Sequence, residues 1–226
     1  MKIYYHPAST TSRTVMLYAA EQGLEADFQV VDLFVGEHMG EPYRGVNPNQ
    51  LVPTLEDGDF RLTESSAILK YLADKSNSPT YPKDLKERAR VNEMMDWINT
   101  QLCRDLAYGT VYPQIFPNHK RPSDEGHKMT VAWGQERAKR WMTVLDEKLL
   151  GSKTYLCGDK ITIADYYGAS FVHLTEVIGS DLSKYPNVKG WMDRMKSLGS
   201  WDKTYAAING FAKSVAESMK GQLATV

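Results

Sequence analysis

The sequence predicts an α/β domain followed by an all-α helical bundle. Three observations carry that reading. Short strand-forming runs punctuated by Pro and Gly are confined to the first third of the chain, whereas the remainder shows helical periodicity. The formal charge of −1 over 226 residues conceals a split, −5 over residues 1–78 and +4 over residues 79–226. Between them lies Lys75-Ser76-Asn77-Ser78-Pro79-Thr80-Tyr81-Pro82, polar and proline-bearing, which suits a linker. The expected domains are therefore residues 1–78 and residues 83–226.

The elements follow in order. Lys2–Tyr5 predicts a strand, ended by Pro7. Ser12–Gln22 predicts a helix with Val15, Met16, Ala19 and Ala20 on its apolar stripe, closed by Gly23. Phe28–Leu33 predicts a second strand. Val52–Leu55 and Phe60–Leu62 predict a hairpin through Asp57-Gly58. Glu64–Asp74 then predicts a helix burying Ala67, Ile68, Tyr71 and Leu72. The order βαβ, a variable stretch, then ββα is that of a thioredoxin-like domain.

In the second half, helices are predicted over Asp84–Leu102, Thr130–Leu150, Thr162–Ile178 and Val188–Leu198. Thr162-Ile163-Ala164-Asp165 fits a capping box. The helix it opens is apolar almost all round, which places it at the centre of a bundle.

Composition excludes several classes. Ordinary apolar and charged fractions, 42% and 24%, exclude disorder. The near-zero charge argues against nucleic-acid binding. Cys103 and Cys157 are too far apart for a CxxC pair, and His6, His38, His119, His127 and His173 lack metal spacing, so no metal site is expected. No signal-peptide core or membrane-length apolar run is seen, which points to a cytoplasmic protein with no membrane partner. His173 is expected as a hydrogen-bonded core histidine, and His119 and His127 as solvated.

Three segments carry candidate chemistry. Ala8-Ser9-Thr10-Thr11-Ser12 places hydroxyls and amides at a helix N-terminus, which favours an anion such as a thiolate. Thr11 or Ser12 equally suits plain N-capping. Asn47 through Leu55 contains Val52-Pro53, where a cis bond would turn the Val52 backbone toward an extended peptide ligand. An edge-strand proline is the alternative. Thr63-Glu64-Ser65-Ser66 offers a capping Thr63, or a carboxylate site at Ser65 with Glu64 for an ammonium. Tyr108–Phe116 is aromatic and proline-interrupted, either packing at a helix break or an apolar wall for a ligand.

These residues, with Asp84-Leu85-Lys86-Glu87-Arg88-Ala89-Arg90-Val91 and Ile161–Asp165, resemble the glutathione transferases over nearly the whole chain, with the serine-dependent theta and delta classes and their bacterial relatives the most similar. The resemblance implies a transferase acting in detoxification, a homodimer, with glutathione as cosubstrate and no tightly bound cofactor. It implies that Ser9 donates to the glutathione thiolate, with Thr10, Thr11 and Ser12 as alternatives. Glu64 and Ser65 would hold the γ-glutamyl end. Val52, beside cis Pro53, would pair with the cysteinyl unit, and His38 and Gln50 would meet the glycyl end. Ala8, Tyr108, Tyr112, Ile115 and Phe116 would face a hydrophobic electrophile. Asp165 would be structural. Ser66 stands where some members have an arginine, which removes one carboxylate contact. Alternatives are a narrow-substrate glutathione-dependent dehalogenase or ether-cleaving enzyme, and a non-catalytic glutathione-binding protein.

Overall fold

A computed structural model describes all residues 1–226. The N-terminal part contains β1 (Lys2–Tyr5), α1 (Thr10–Glu21), β2 (Asp27–Val30), α2 (Tyr43–Val46), β3 (Thr54–Asp57), β4 (Phe60–Leu62) and α3 (Ser65–Lys75). The sheet order is β2-β1-β3-β4, with β1 parallel to β2 and antiparallel to β3. It is a thioredoxin-like domain, and a helical domain follows.

Helix α1 begins two residues earlier than the apolar stripe suggested. Its N-cap is Ser9, whose hydroxyl accepts from Ser12 N–H at 3.3 Å. Ser12, one candidate for that cap, instead lies fully buried and accepts from His6 N–H. The buried face also differs, comprising Val15, Leu17, Tyr18 and Ala19, while Ala20 is exposed. The reason is that α1 packs against both α3 and the central helix of the second domain, so burial wraps around it. Gly23, with φ of 61°, closes the helix in the left-handed region, as its position indicated.

The helical domain comprises α4 (Leu85–Trp97), α5 (Tyr112–Ile115), α6 (Asp124–Val144), α7 (Ile163–Val172), α8 (Leu174–Val177), α9 (Pro186–Lys196) and α10 (Trp201–Ser218). The chain of α4 continues without a break through a π-helical stretch, Ile98–Val111, into α5. Pro113 therefore does not interrupt the helix. It lies inside the continuous helical run, where its missing N–H removes one hydrogen bond of the ladder without ending the helix. Helix α6 likewise continues through Leu150. The two long helices cross at glycines: a Cβ on Gly134 would fall 2.3 Å from Gly109 O. Buried Asp105 ties them together, accepting from Arg104, Arg137 and Trp141. Helix α10 falls where no element was assigned from the sequence.

Helix α7 is buried over its whole length, as its all-round apolarity required. The capping box is present, and Asp165 also accepts from Leu156 N–H and Trp191 Nε1 at 2.8 and 3.0 Å. The stretch read as a linker is not loose. Ser78 and Thr80 are buried and hydrogen-bond Gln22 and Tyr18, and Ile163 N–H donates to Thr80 O. One apolar core accordingly runs through both parts of the chain.

Candidate active site

The site forms where the N-termini of α1 and α3 face the helical domain. The segment before β3 is fixed first. Asn47 is buried and donates to Leu51 O at 2.7 Å, and the Tyr43 hydroxyl donates to the same carbonyl. This pins the turn that carries Leu51, Val52 and Pro53, and the Val52–Pro53 bond is cis. Val52 O already accepts from Thr11 Oγ1 at 2.9 Å. A carbonyl has two lone pairs, so one remains for a ligand.

The four consecutive hydroxyl residues separate by their partners. Thr10 is buried and accepts from the Tyr112 hydroxyl at 2.9 Å. Ser12 is buried beneath the loop, as described above. Both of these hydroxyls are buried. Ser9 and Thr11 are both partly accessible and lie 3.1 Å apart, oxygen to oxygen. Thr11 commits its proton to Val52 O. Ser9 accepts at the helix cap and, because the Thr11 proton is on Val52 O, donates its own proton to Thr11 Oγ1.

Beneath this loop lies Arg13, fully buried, donating to Ala8 O at 2.6 Å. Its guanidinium sits 5.1 Å from the Tyr205 ring centre, and its Nε and Nη2 have no hydrogen-bond partner. No carboxylate pairs with it, so its positive field extends toward the loop. His6 shapes the same loop. Its Nδ1 accepts from Ala8 N–H and its carbonyl from Ser9 N–H. Burial lowers its pKa, which keeps the ring neutral and able to accept.

Across the cavity, α3 starts without a side-chain cap. Its N-cap is Glu64, with φ of 64°, and Thr63 does not perform the capping expected of it. The first amides of α3 are therefore free for an anion. Ser65 is buried, while Glu64 is exposed.

A single cavity is lined by Thr11, Val52, Pro53, Glu64 and Ser65 on one side. Asn99, Cys103, Tyr108, Tyr167 and Phe171 line the other. His38 and Gln50 are outside this lining, and so are Ser9 and Ala8, which stand just behind Thr11. Of the aromatic segment, only Tyr108 reaches the cavity. Tyr112 is tied to Thr10, Phe116 stacks on Phe211 with ring centres 5.6 Å apart, and Ile115 packs against the core. His119 is not solvated as expected but packs among the rings of Tyr108, Tyr112 and Phe116. His173 is the core histidine its setting suggested, bonded to Asn209, its pKa lowered by burial to about 3.

Sequence reasoning missed Asn99, Cys103, Tyr167 and Phe171. They read as ordinary positions on long helices, and only the packing of those helices brings them to the cavity. Burial pushes the Cys103 thiol up to about 12, so it stays protonated.

Fold and cavity together define a thioredoxin-like domain with a cavity of mixed polar and apolar lining, walled on one side by a helical domain. Two family models match: the glutathione S-transferase N-terminal domain over residues 3–80 and its C-terminal domain over residues 108–198. Glutathione S-transferase theta-1 of Homo sapiens is 31% identical over 202 residues, 87% of this chain and 82% of that protein. Human glutathione transferase theta-2, solved with glutathione and an unknown ligand, superposes with a TM-score of 0.82 at 27% identity. That match covers 99% of this chain and 92% of the other. A delta-class glutathione transferase of Nilaparvata lugens superposes at 0.78 with 29% identity, covering 94% of this chain and 96% of that one. The chain belongs to the glutathione S-transferase family. It is a transferase with glutathione as its cosubstrate. No helix is long and apolar enough to cross a membrane.

Proposed function

We propose that the chain joins glutathione to a hydrophobic electrophile, with Ser9 holding the thiolate. The observation that carries this reading is the partly accessible Ser9 hydroxyl at the α1 cap, whose proton goes to the neighbouring Thr11 hydroxyl and can turn to a ligand sulfur instead. Glutathione lies with its γ-glutamyl carboxylate at the open end of α3 and its ammonium toward Glu64. The cysteinyl unit pairs with the Val52 backbone beside Pro53, which brings the sulfur toward Ser9. His38 and Gln50 are assigned to the glycyl end, which extends outside the cavity.

The thiol releases its proton to water. Ser9 then donates to the resulting thiolate, and the α1 amides and the Arg13 field add to its stabilisation. Holding the thiol about two units below its ordinary pKa takes about 2.7 kcal/mol. The thiolate attacks carbon as the leaving group departs with the bonding pair, or adds to a double bond that then takes a proton from water. Tyr108 and Phe171 offer the electrophile an apolar face, and Tyr112, Ile115 and Phe116 support that face from behind. Thr11 is the alternative donor.

The working unit is a homodimer in this reading. Met129 and Trp133 support it, being large apolar side chains one helical turn apart that are 66% and 57% exposed on α6. The Ser9→Ala variant tests the assignment of the catalytic hydroxyl. Unchanged turnover with normal glutathione affinity would refute it.

A further inference from the structure

A second cavity, of ≈ 210 Å³, lies between the turn that follows Leu150 and helix α9. It shares no lining residue with the active-site cavity, and no hydrophobic side chain lines it. Two cations do, Lys153 and Arg194. Both are held by carbonyls rather than by carboxylates. Arg194 Nε and Nη2 donate to Thr154 O at 3.0 and 2.7 Å, and Lys153 Nζ donates to Leu156 O at 3.3 Å. The neighbouring carboxylate, Asp193, is taken by Lys189 at 2.7 Å. A carbonyl orients a cation without cancelling its charge.

The donors left over converge on one kind of ligand. Arg194 Nη1 makes no hydrogen bond within the chain, and Lys153 has N–H groups to spare. The exposed Ser152 adds a hydroxyl and a backbone N–H that are likewise uncommitted. The start of α9 takes no part, because Asp146 accepts from the Asn187 and Val188 N–H groups at 2.8 and 2.9 Å. Asn187 Nδ2 donates to Asp146 O at 3.0 Å, which leaves its Oδ1 as an acceptor at the cavity. Gly190 sits inside α9, where glycine is unfavourable relative to alanine. A Cβ there would lie 3.7 Å from Arg194 Nη1, against the donor that the cavity presents.

Two fixed cations with an uncommitted guanidinium edge match the oxygens of a phosphate. The volume equals that of about seven waters at about 30 Å³ each, more than a phosphate group fills. The wholly polar lining suits a hydroxyl-bearing remainder and excludes an apolar one. We propose that this cavity is a second ligand site that binds the phosphate monoester of a small polyhydroxylated molecule. Lys153, Arg194 Nη1 and Ser152 hold the phosphate, and Asn187 Oδ1 accepts from a ligand hydroxyl.

The test is isothermal titration calorimetry on the full chain at fixed ionic strength, with S-methylglutathione present to fill the active site. Glucose 6-phosphate is the probe, beside inorganic phosphate and glucose. The ester should bind at one site with a Kd of about 1 mM or below, inorganic phosphate about threefold more weakly or worse, and glucose without heat. Arg194→Gln and Lys153→Gln should each weaken the ester about tenfold, with conjugating activity within about twofold of wild type. Lys153→Gln gives up one long contact to the chain, so it keeps the test readable if Arg194→Gln melts early. No heat from the ester, or equal affinity in wild type and Lys153→Gln, overturns the proposal. Inorganic phosphate bound as tightly as the ester overturns the assignment to a monoester.

Discussion

Two helix N-termini in this molecule face the interior of the protein, and they are finished in opposite ways. At α7 the chain supplies everything. Thr162 and Asp165 cap each other reciprocally, and the Asp165 carboxylate takes two more donors, Leu156 N–H and Trp191 Nε1. At α3 the chain supplies no side-chain cap, and Glu64 holds an unfavourable φ of 64°. Both ends began as a hydroxyl residue followed by an acid. The difference teaches that a helix end satisfied from within is architecture, while one left open beside a cavity is a binding site. Helix α1 stands between them, capped by Ser9 through an accepted bond, with the Ser9 proton held by the neighbouring Thr11 hydroxyl.

The largest effect is expected at the closed end. Asp165→Ala strands two backbone amides and an indole N–H in the core, each costing about 1–3 kcal/mol. Chemical denaturation should show a loss above about 4 kcal/mol, or no folded protein at all. A mild loss would mean that the capping box is dispensable and would blur the contrast.

At the intermediate end, Ser9→Ala should cost about 1 kcal/mol of stability through the lost cap. Its turnover should fall by about a hundredfold, equivalent to about 2.7 kcal/mol. Steady-state kinetics beside a thermal melt separates the two effects. At the open end, Ser65→Ala should raise the glutathione KM about tenfold with little change in stability, since it caps nothing. A large drop in thermal midpoint would show that the α3 terminus is architecture after all.

The smallest effect lies at the far end of α7, where His173 is neutral in the folded state. Its folded pKa, about 3, lies below its unfolded value of about 6.5. The unfolded chain therefore binds the proton first. The stability due to the neutral ring is full above about pH 6.5 and falls as pH drops toward 3. Between about pH 7 and 6 the loss should be under about 1 kcal/mol. Denaturation of His173→Gln should show a flatter pH dependence over that range.

Legibility in the sequence followed the range of the interactions. The capping box at Thr162–Asp165 could be read because its partners are three residues apart. The sheet hairpin at Asp57-Gly58 and the cis bond at Val52-Pro53 were legible for the same local reason. The order of duties among Ser9, Thr10, Thr11 and Ser12 was not. Four like hydroxyls are sorted only by His6, Val52 and Tyr112, the last from the helical domain. The open state of α3 was hidden in a backbone angle at Glu64, which no residue pattern announces. Pro113 misled because a proline inside a helix removes a hydrogen bond, yet here the helix runs on through it. Asn99 and Tyr167 were invisible as site residues because they are 68 positions apart and meet only when α7 packs against the long helix.

The central claim is that this chain lowers the pKa of the glutathione thiol through the Ser9 end of α1. The direct measurement is an ultraviolet titration of thiolate absorbance for glutathione bound to the wild type and to Ser9→Ala. The bound thiol should titrate about two units below free glutathione in the wild type and rise by most of that shift in the variant. Equal titration of the two complexes would contradict it.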